Sequence, residues 1–169
     1  MKRLSMSLLV AVLGLVFGLL VTHVEAETMN FKLVSTIEKA ERVKVTEAEG
    51  VVIGVLDRKG LSIFDNGEIA TTNCRGTFDT KKGFQGYSSL SFEDGSTLVL
   101  SWKGPTSNAR SEKYWEYGID VEFVEGTGRF KGVKGSGSYK SKQPLWDADY
   151  KAKGITLYEF NGSYDLSSQ

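Results

Sequence analysis

The sequence has 169 residues, 40% hydrophobic and 25% charged, and its 21 basic side chains balance 21 acidic ones. This balance gives no sign of the strongly basic face that binds nucleic acids and anionic membranes, although a local basic patch could still form on folding, so we expect no nucleic-acid partner. The single cysteine, Cys74, cannot form an intramolecular disulfide, and stability must therefore come from a packed core.

The first residues predict a cleavable export signal. Lys2 and Arg3 precede an apolar stretch over residues 8–21, and Val24 and Ala26 then occupy the positions at which a signal peptidase reads small residues. These are the three parts of a secretory signal, and the apolar stretch is shorter than the roughly 20 residues of a membrane-spanning helix. We expect residues 1–26 to be the signal peptide and the product to be periplasmic or secreted, with no membrane partner after cleavage.

Cleavage would also remove the only histidine, His23. The mature domain, residues 27–169, would then lack the imidazole that His-based triads and most catalytic zinc sites require. The acidic pair Asp147 and Asp149 lacks the further oxygen ligands of a calcium loop. We therefore predict no metal and no cofactor.

Strand patterns recur along the mature chain, whereas helical periodicity is limited to a weak candidate over residues 37–47. Alternation of apolar and polar residues is clearest at 98–102 and 117–123, as in strands with one buried face. Turns rich in Asp, Asn and Gly separate the runs and favour antiparallel neighbours. The predicted strands, about eight or nine, lie at residues 30–37, 50–57, 60–64, 68–79, 84–93, 96–103, 114–124, 128–141 and 152–165.

These strands predict an all-β fold, an antiparallel β-barrel of about eight strands in a single domain. A two-sheet sandwich has similar strand spacing, but a closed barrel removes the sheet edges that this sequence does not protect with strand prolines. The prolines, Pro105 and Pro144, fall in the longest predicted loops, residues 104–113 and 142–149.

The segment at residues 124–138, VEGTGRFKGVKGSGS, resembles the glycine-patterned hairpin of the allene oxide cyclase-like and dirigent-like barrel superfamily. Residues 92–95 and the strand ending at 103–105 are similar to the paired central strands of that family. The resemblance implies an eight-stranded barrel with a lengthwise cavity, often assembled as a trimer. Members include cyclases of fatty-acid epoxides, proteins that steer phenolic radical coupling, and bacterial exported proteins. It further implies that Cys74 corresponds to the cavity cysteine of the cyclases.

Candidate ligand-binding residues come from the aromatic strand and its neighbours. Alternation places the odd-numbered residues from Trp115 to Phe123 on one inner face, where such side chains hold ring-bearing ligands or simply fill a core. We expect a buried thiol at Cys74, because Arg75 beside it should point to the opposite side. The candidate set is Cys74, Trp102, Trp115, Tyr117, Ile119, Phe123 and Trp146, and no catalytic residue is assigned.

Three functions fit these observations. The first is an exported barrel that binds a small apolar or aromatic ligand in its interior without catalysis, because catalytic side chains are scarce. The second is a cyclase or isomerase resembling allene oxide cyclase, a chemistry that does not require histidine. The third is a structural barrel that self-assembles, as a trimer by resemblance.

Overall fold

The computed structural model describes residues 26–45, 50–144 and 155–166. These residues form a closed barrel of eight antiparallel strands, in which neighbours along the chain pair and the first strand closes on the last. The predicted all-β antiparallel barrel is thereby confirmed. The strands are β1 (Glu27–Lys44), β2 (Val52–Phe64), β3 (Ile69–Asp79), β4 (Gly83–Ser91), β5 (Thr97–Arg110), β6 (Tyr114–Gly126), β7 (Val133–Pro144) and β8 (Thr156–Leu166).

One end of the barrel is packed with aromatic rings, and we call it the filled end. The β2–β3, β4–β5 and β6–β7 turns lie there. Phe31 is central to the packing, since its ring stacks on Phe160 at 4.6 Å between centroids and lies 4.9 Å from Phe64. The opposite end, where β3 joins β4 and β5 joins β6, is the open end. The rings in contact at the filled end are Phe31, Phe64, Phe92, Phe123, Phe130, Phe160 and Tyr164.

A register shift in β1 decides which of its residues face the interior. Odd-numbered residues from Met29 to Ile37 are buried. The pairing with β2 shifts between Ile37 and Lys39, as at a β-bulge. Beyond the shift the even-numbered Ala40 and Arg42 line the interior at the open end.

The predicted strands 50–57 and 60–64 are wrong as separate elements, because they form the single strand β2. Arg58 lies between them on the inner face, and Gly60 stays paired with β1. A charge and a glycine therefore interrupt the apolar pattern without interrupting the hydrogen-bonded ladder.

Three further segments differ from the predictions. The weak helix candidate at 37–47 is strand β1 as far as Lys44. The predicted loop 104–113 is mostly strand, because β5 continues to Arg110 in pairing with β6. The predicted loop 142–149 begins as the last residues of β7 and then leaves the described part of the chain.

The predicted signal peptide lies outside the described residues apart from Ala26, and it stays a prediction. Trp146, Asp147 and Asp149 also lie outside them. Within the three described ranges, no helix is long and apolar enough to cross a membrane.

Candidate ligand-binding cavity at the open end

A cavity of about 360 Å³ lies inside the barrel above the filled end. Pockets for small organic ligands have volumes of roughly 300–1,000 Å³, so this cavity suits a compact ligand. Inward-facing residues from different strands of the barrel form its wall. The aromatic part of the wall consists of Phe78, Phe84, Trp102, Tyr117, Tyr139 and Tyr158.

Two glycines position the Trp102 ring. Gly76, Gly86 and Trp102 are successive cross-strand partners in β3, β4 and β5. A Cβ atom at either glycine would overlap the indole, so only glycine lets the ring lie against the sheet there. The indole N–H donates to Ser88 Oγ at 3.0 Å. The ring is therefore fixed at both its apolar and its polar edge.

A row of aromatic rings leads from the cavity toward the open end. The ring of Phe84 meets Tyr117 edge-on at 5.8 Å, and Tyr117 stacks with Trp115 at 6.1 Å. The Arg110 guanidinium lies 5.1 Å from the centroid of the Trp115 ring. Trp115 thus lies on the inner face at the rim, next to the connection between β5 and β6.

Arg58 supplies a buried positive charge in the cavity wall. The side chain is 4% exposed. Its Nε donates to Ser35 Oγ at 2.9 Å, and its Nη2 donates to Thr156 Oγ1 at 2.5 Å. The guanidinium carbon lies 5.8 Å from the centroid of the Tyr158 ring. Buried charges require such hydrogen bonds, and here the bonds hold the cation in one orientation.

Cys74 is a buried thiol, as predicted, and Arg75 beside it is exposed on the outer face. Its Sγ accepts a hydrogen bond from Ser88 Oγ at 3.1 Å. Burial raises the pKa of the thiol, although the Ser88 hydrogen bond and the charge of Arg58 act in the opposite direction. The thiolate is therefore disfavoured, and the group is a weak nucleophile.

Tyr139 marks the floor of the cavity, where the aromatic packing of the filled end begins. Its ring meets Phe160 edge-on at 5.2 Å and Tyr158 at 5.6 Å. Among the described residues, its hydroxyl is the one buried side-chain nitrogen or oxygen without a hydrogen-bond partner. An unpaired buried hydroxyl costs about 1–3 kcal/mol, and native proteins contain few of them.

The structure separates the predicted ligand-binding residues into groups. Trp115 lies at the rim, whereas Phe123 lies deeper, in the filled end, where its ring meets Phe160 at 5.9 Å. Trp146 is outside the described residues. The predicted residues that line the cavity are Cys74, Trp102, Tyr117 and Ile119.

Sequence reasoning missed Arg58, Tyr139 and Tyr158, which all line the cavity. The inward direction of Arg58 could have been predicted, because Arg58 and the buried Phe64 are an even number of residues apart on one strand and so face the same side. Dividing β2 into two predicted strands hid that parity. Tyr139 and Tyr158 lay within predicted strands, but nothing in the sequence distinguished their depth in the barrel.

Within the described ranges, no group of three or more His, Cys, Asp or Glu residues could hold a metal ion. Comparison of the chain with known protein families finds no match, and comparison with curated proteins finds none. The resemblance to the allene oxide cyclase-like and dirigent-like barrels remains a prediction from the glycine-patterned segment.

Proposed function

We propose that this protein is an exported barrel that binds a small apolar or aromatic ligand in its interior cavity without catalysing a reaction on it. The observation that carries the proposal is the cavity of about 360 Å³ with six aromatic side chains in its wall. Aromatic walls with a few polar groups are typical of sites for ring-bearing ligands. Periplasmic or secreted location follows from the proposed signal peptide.

The polar groups of the wall favour binding over the cyclase alternative. Asp79 is the one carboxylate among the described residues that line the cavity. It accepts hydrogen bonds from the backbone N–H groups of Lys81 at 2.8 Å and Lys82 at 3.0 Å, and these bonds lower its pKa. The carboxylate is thus engaged in the β3–β4 turn, and the protonated thiol of Cys74 is a poor base.

A bulky side chain at the open end tests where the ligand binds. Ala40 lines the cavity on β1, so Ala40→Trp should fill part of it. With the apolar fluorophore N-phenyl-1-naphthylamine as probe, we expect this variant to bind about tenfold more weakly or not at all, because the added ring occupies the binding volume. Fluorescence titration measures the dissociation constant.

Val43→Trp is the matched control, because Val43 is on the same strand but 64% exposed on the outer face. We expect it to bind the probe like the wild type. Equal binding by both variants would place the probe outside the cavity and contradict the proposal. Native mass spectrometry of the mature protein after incubation with hydrophobic extracts then identifies natural ligands by their added mass.

A further inference from the structure

The mouth of the cavity carries hydrogen-bond donors, whereas the wall deeper in the barrel is aromatic. Arg42, Asn108 and Gln143 line the cavity, and each lies within two residues of the end of its strand at the open end. Arg42 and Asn108 are exposed and Gln143 is half-buried, so a ligand can reach all three side chains. A guanidinium and two amides all supply N–H donors. A ligand whose body fills the cavity therefore has its outer end beside donors.

The strand pairing places Arg42 at the same level as aromatic rings. Successive cross-strand partners in β1, β2, β3 and β4 are Arg42, Gly54, Phe78 and Phe84. A Cβ atom at Gly54 would lie 2.6 Å from atoms of the Phe78 ring, so this ring occupies the space over the glycine. Arg42 and Phe78, which both line the cavity, are thus separated only by a glycine. A ligand ring against Phe78 has its substituents near a cation.

The charges of the wall favour an anion over a cation. Of the described residues that line the cavity, two are cations, Arg42 and Arg58, and one is a carboxylate, Asp79. The carboxylate accepts backbone hydrogen bonds in the β3–β4 turn. Burial raises the pKa values of Cys74 and Tyr158, and the charge of Arg58 opposes both increases. The positive potential of Arg58 therefore extends into the cavity.

We propose that the ligands of this protein are compact ring-bearing carboxylates, held with the ring inside the cavity and the carboxylate at the mouth, beside the Arg42 guanidinium. This proposal rests on the proposed function and adds the charge and the orientation of the ligand. Arg58 is not the group that receives the carboxylate. It is 4% exposed, and its Nε and Nη2 donate to Ser35 and Thr156. At the mouth the carboxylate keeps contact with water, which avoids the cost of burying a charge.

Two probes of the same shape and different charge test the proposal. 2-Naphthoate is ionised at neutral pH, and 2-naphthamide is its uncharged isostere. By isothermal titration calorimetry at low ionic strength, we expect the wild type to bind the carboxylate about fivefold more tightly than the amide, the upper value for an exposed ion pair. The preference should shrink to about twofold or less in about 0.5 M salt, which screens exposed charges.

Arg42→Gln should bind both probes with the affinity that the wild type has for the amide, because it removes the charge and keeps an N–H donor. Lys32→Gln is the matched control. It removes one positive charge from the outer face of the same strand, where the Lys32 side chain is 65% exposed. This control should keep the preference for the carboxylate.

Equal binding of the two probes by the wild type overturns the proposal, as does a preference that Arg42→Gln keeps or that salt does not reduce. If the wild type binds N-phenyl-1-naphthylamine and the amide without favouring the carboxylate, only the ligand class is wrong. If it binds none of the three compounds, the proposed function fails as well. Loss of fluorophore binding in Arg42→Gln would mean that the substitution disturbs the cavity, and the salt dependence of the wild type then decides.

Discussion

Several polar side chains inside this barrel hydrogen-bond to one another, so the aromatic rings supply most of the surface that a ligand in the cavity can contact. Arg58 uses its donors on Ser35 and Thr156, and the hydroxyl of Ser88 links Cys74 to the Trp102 indole. Paired groups of this kind fix the neighbouring rings without the full cost of burying polar atoms. We therefore expect a substitution at one of these residues to affect mainly its own hydrogen-bond partners.

Tyr164 should make the stability of the barrel depend on alkaline pH. Its hydroxyl donates to Glu27 Oε2 at 2.5 Å, which joins β8 to β1 where the barrel closes. Burial and this hydrogen bond raise the pKa of Tyr164 from the ordinary 10.0 to about 12. Because the folded-state pKa is the higher one, the contribution is complete below pH 10 and is lost as the pH rises toward 12.

We expect Tyr164→Phe to lower the free energy of unfolding at neutral pH by about 1 kcal/mol, the usual net value of one hydrogen bond. Its stability should then fall less steeply than that of the wild type in alkaline solution. Urea unfolding at a series of pH values measures both effects. Tyr87→Phe controls for the loss of a tyrosine, and identical pH profiles for Tyr164→Phe and the wild type would exclude this role.

Among the structural elements, the β6–β7 connection shows how glycine shapes a barrel corner. Gly128 begins a short 3₁₀ helix, Gly128–Phe130, with a φ of 58°. A Cβ atom at Gly128 would contact Ser96, whose Oγ donates to Asp94 and accepts from the Arg129 N–H. Gly128 is thus required both by its backbone angle and by the space available.

Gly128→Ala should therefore destabilise the protein more than Gly67→Ala. Gly67 also has a positive φ, 86°, but no atom lies within 4 Å of the position of an added Cβ. We expect about 1 kcal/mol of backbone strain in Gly67→Ala, and about 2 kcal/mol or more in Gly128→Ala, where Ser96 must also move. Chemical denaturation measures the difference, and equal losses would show that crowding at Ser96 is unimportant.

Strands with a regular alternation of apolar and polar residues were predicted well, and strands with an interrupted alternation were not. β6 was predicted at 114–124 and extends over Tyr114–Gly126, because strict alternation identifies a half-buried strand. β1 and β2 were predicted poorly, since a bulge changes the parity of one and a buried arginine interrupts the other. The buried arginine, Arg58, is held by Ser35 and Thr156, which are distant in the sequence, and local periodicity does not contain such contacts.

On the scale of the whole molecule, the outer surface of β1–β3 carries a contiguous apolar band. Val34 pairs with Leu61, and Ile63 pairs with Ile69, so the four side chains are neighbours across three strands. They are 38–53% exposed. Exposed apolar groups that form one patch are typical of interaction surfaces. Self-association stays a prediction from the resemblance to trimeric barrels, and this band is the surface on which it can be tested.

Leu61→Lys should shift the protein toward the monomer, because it places a charge in the centre of the apolar band. Sedimentation velocity at several protein concentrations measures the change. Val124→Lys is a suitable control, since Val124 is 51% exposed on β6, away from the band. A wild type that remains monomeric at every concentration would contradict the predicted association.

The sequence by itself determined the all-β class and the antiparallel order, because alternation and turn residues are local signals that act between neighbouring strands. It favoured a barrel over a two-sheet sandwich, but the pairing of β1 with β8, which closes the barrel, is seen only in the structure. The sequence also identified Cys74, Trp102 and Tyr117 as inward-facing. Only the tertiary structure decided how deep in the barrel each inward-facing side chain lies: Phe123 packs in the filled end, whereas Tyr139 borders the cavity. The parity of a residue in its strand specifies whether its side chain faces the interior or the solvent. How many aromatic rings meet at one level along the barrel axis depends on the register of all eight strands.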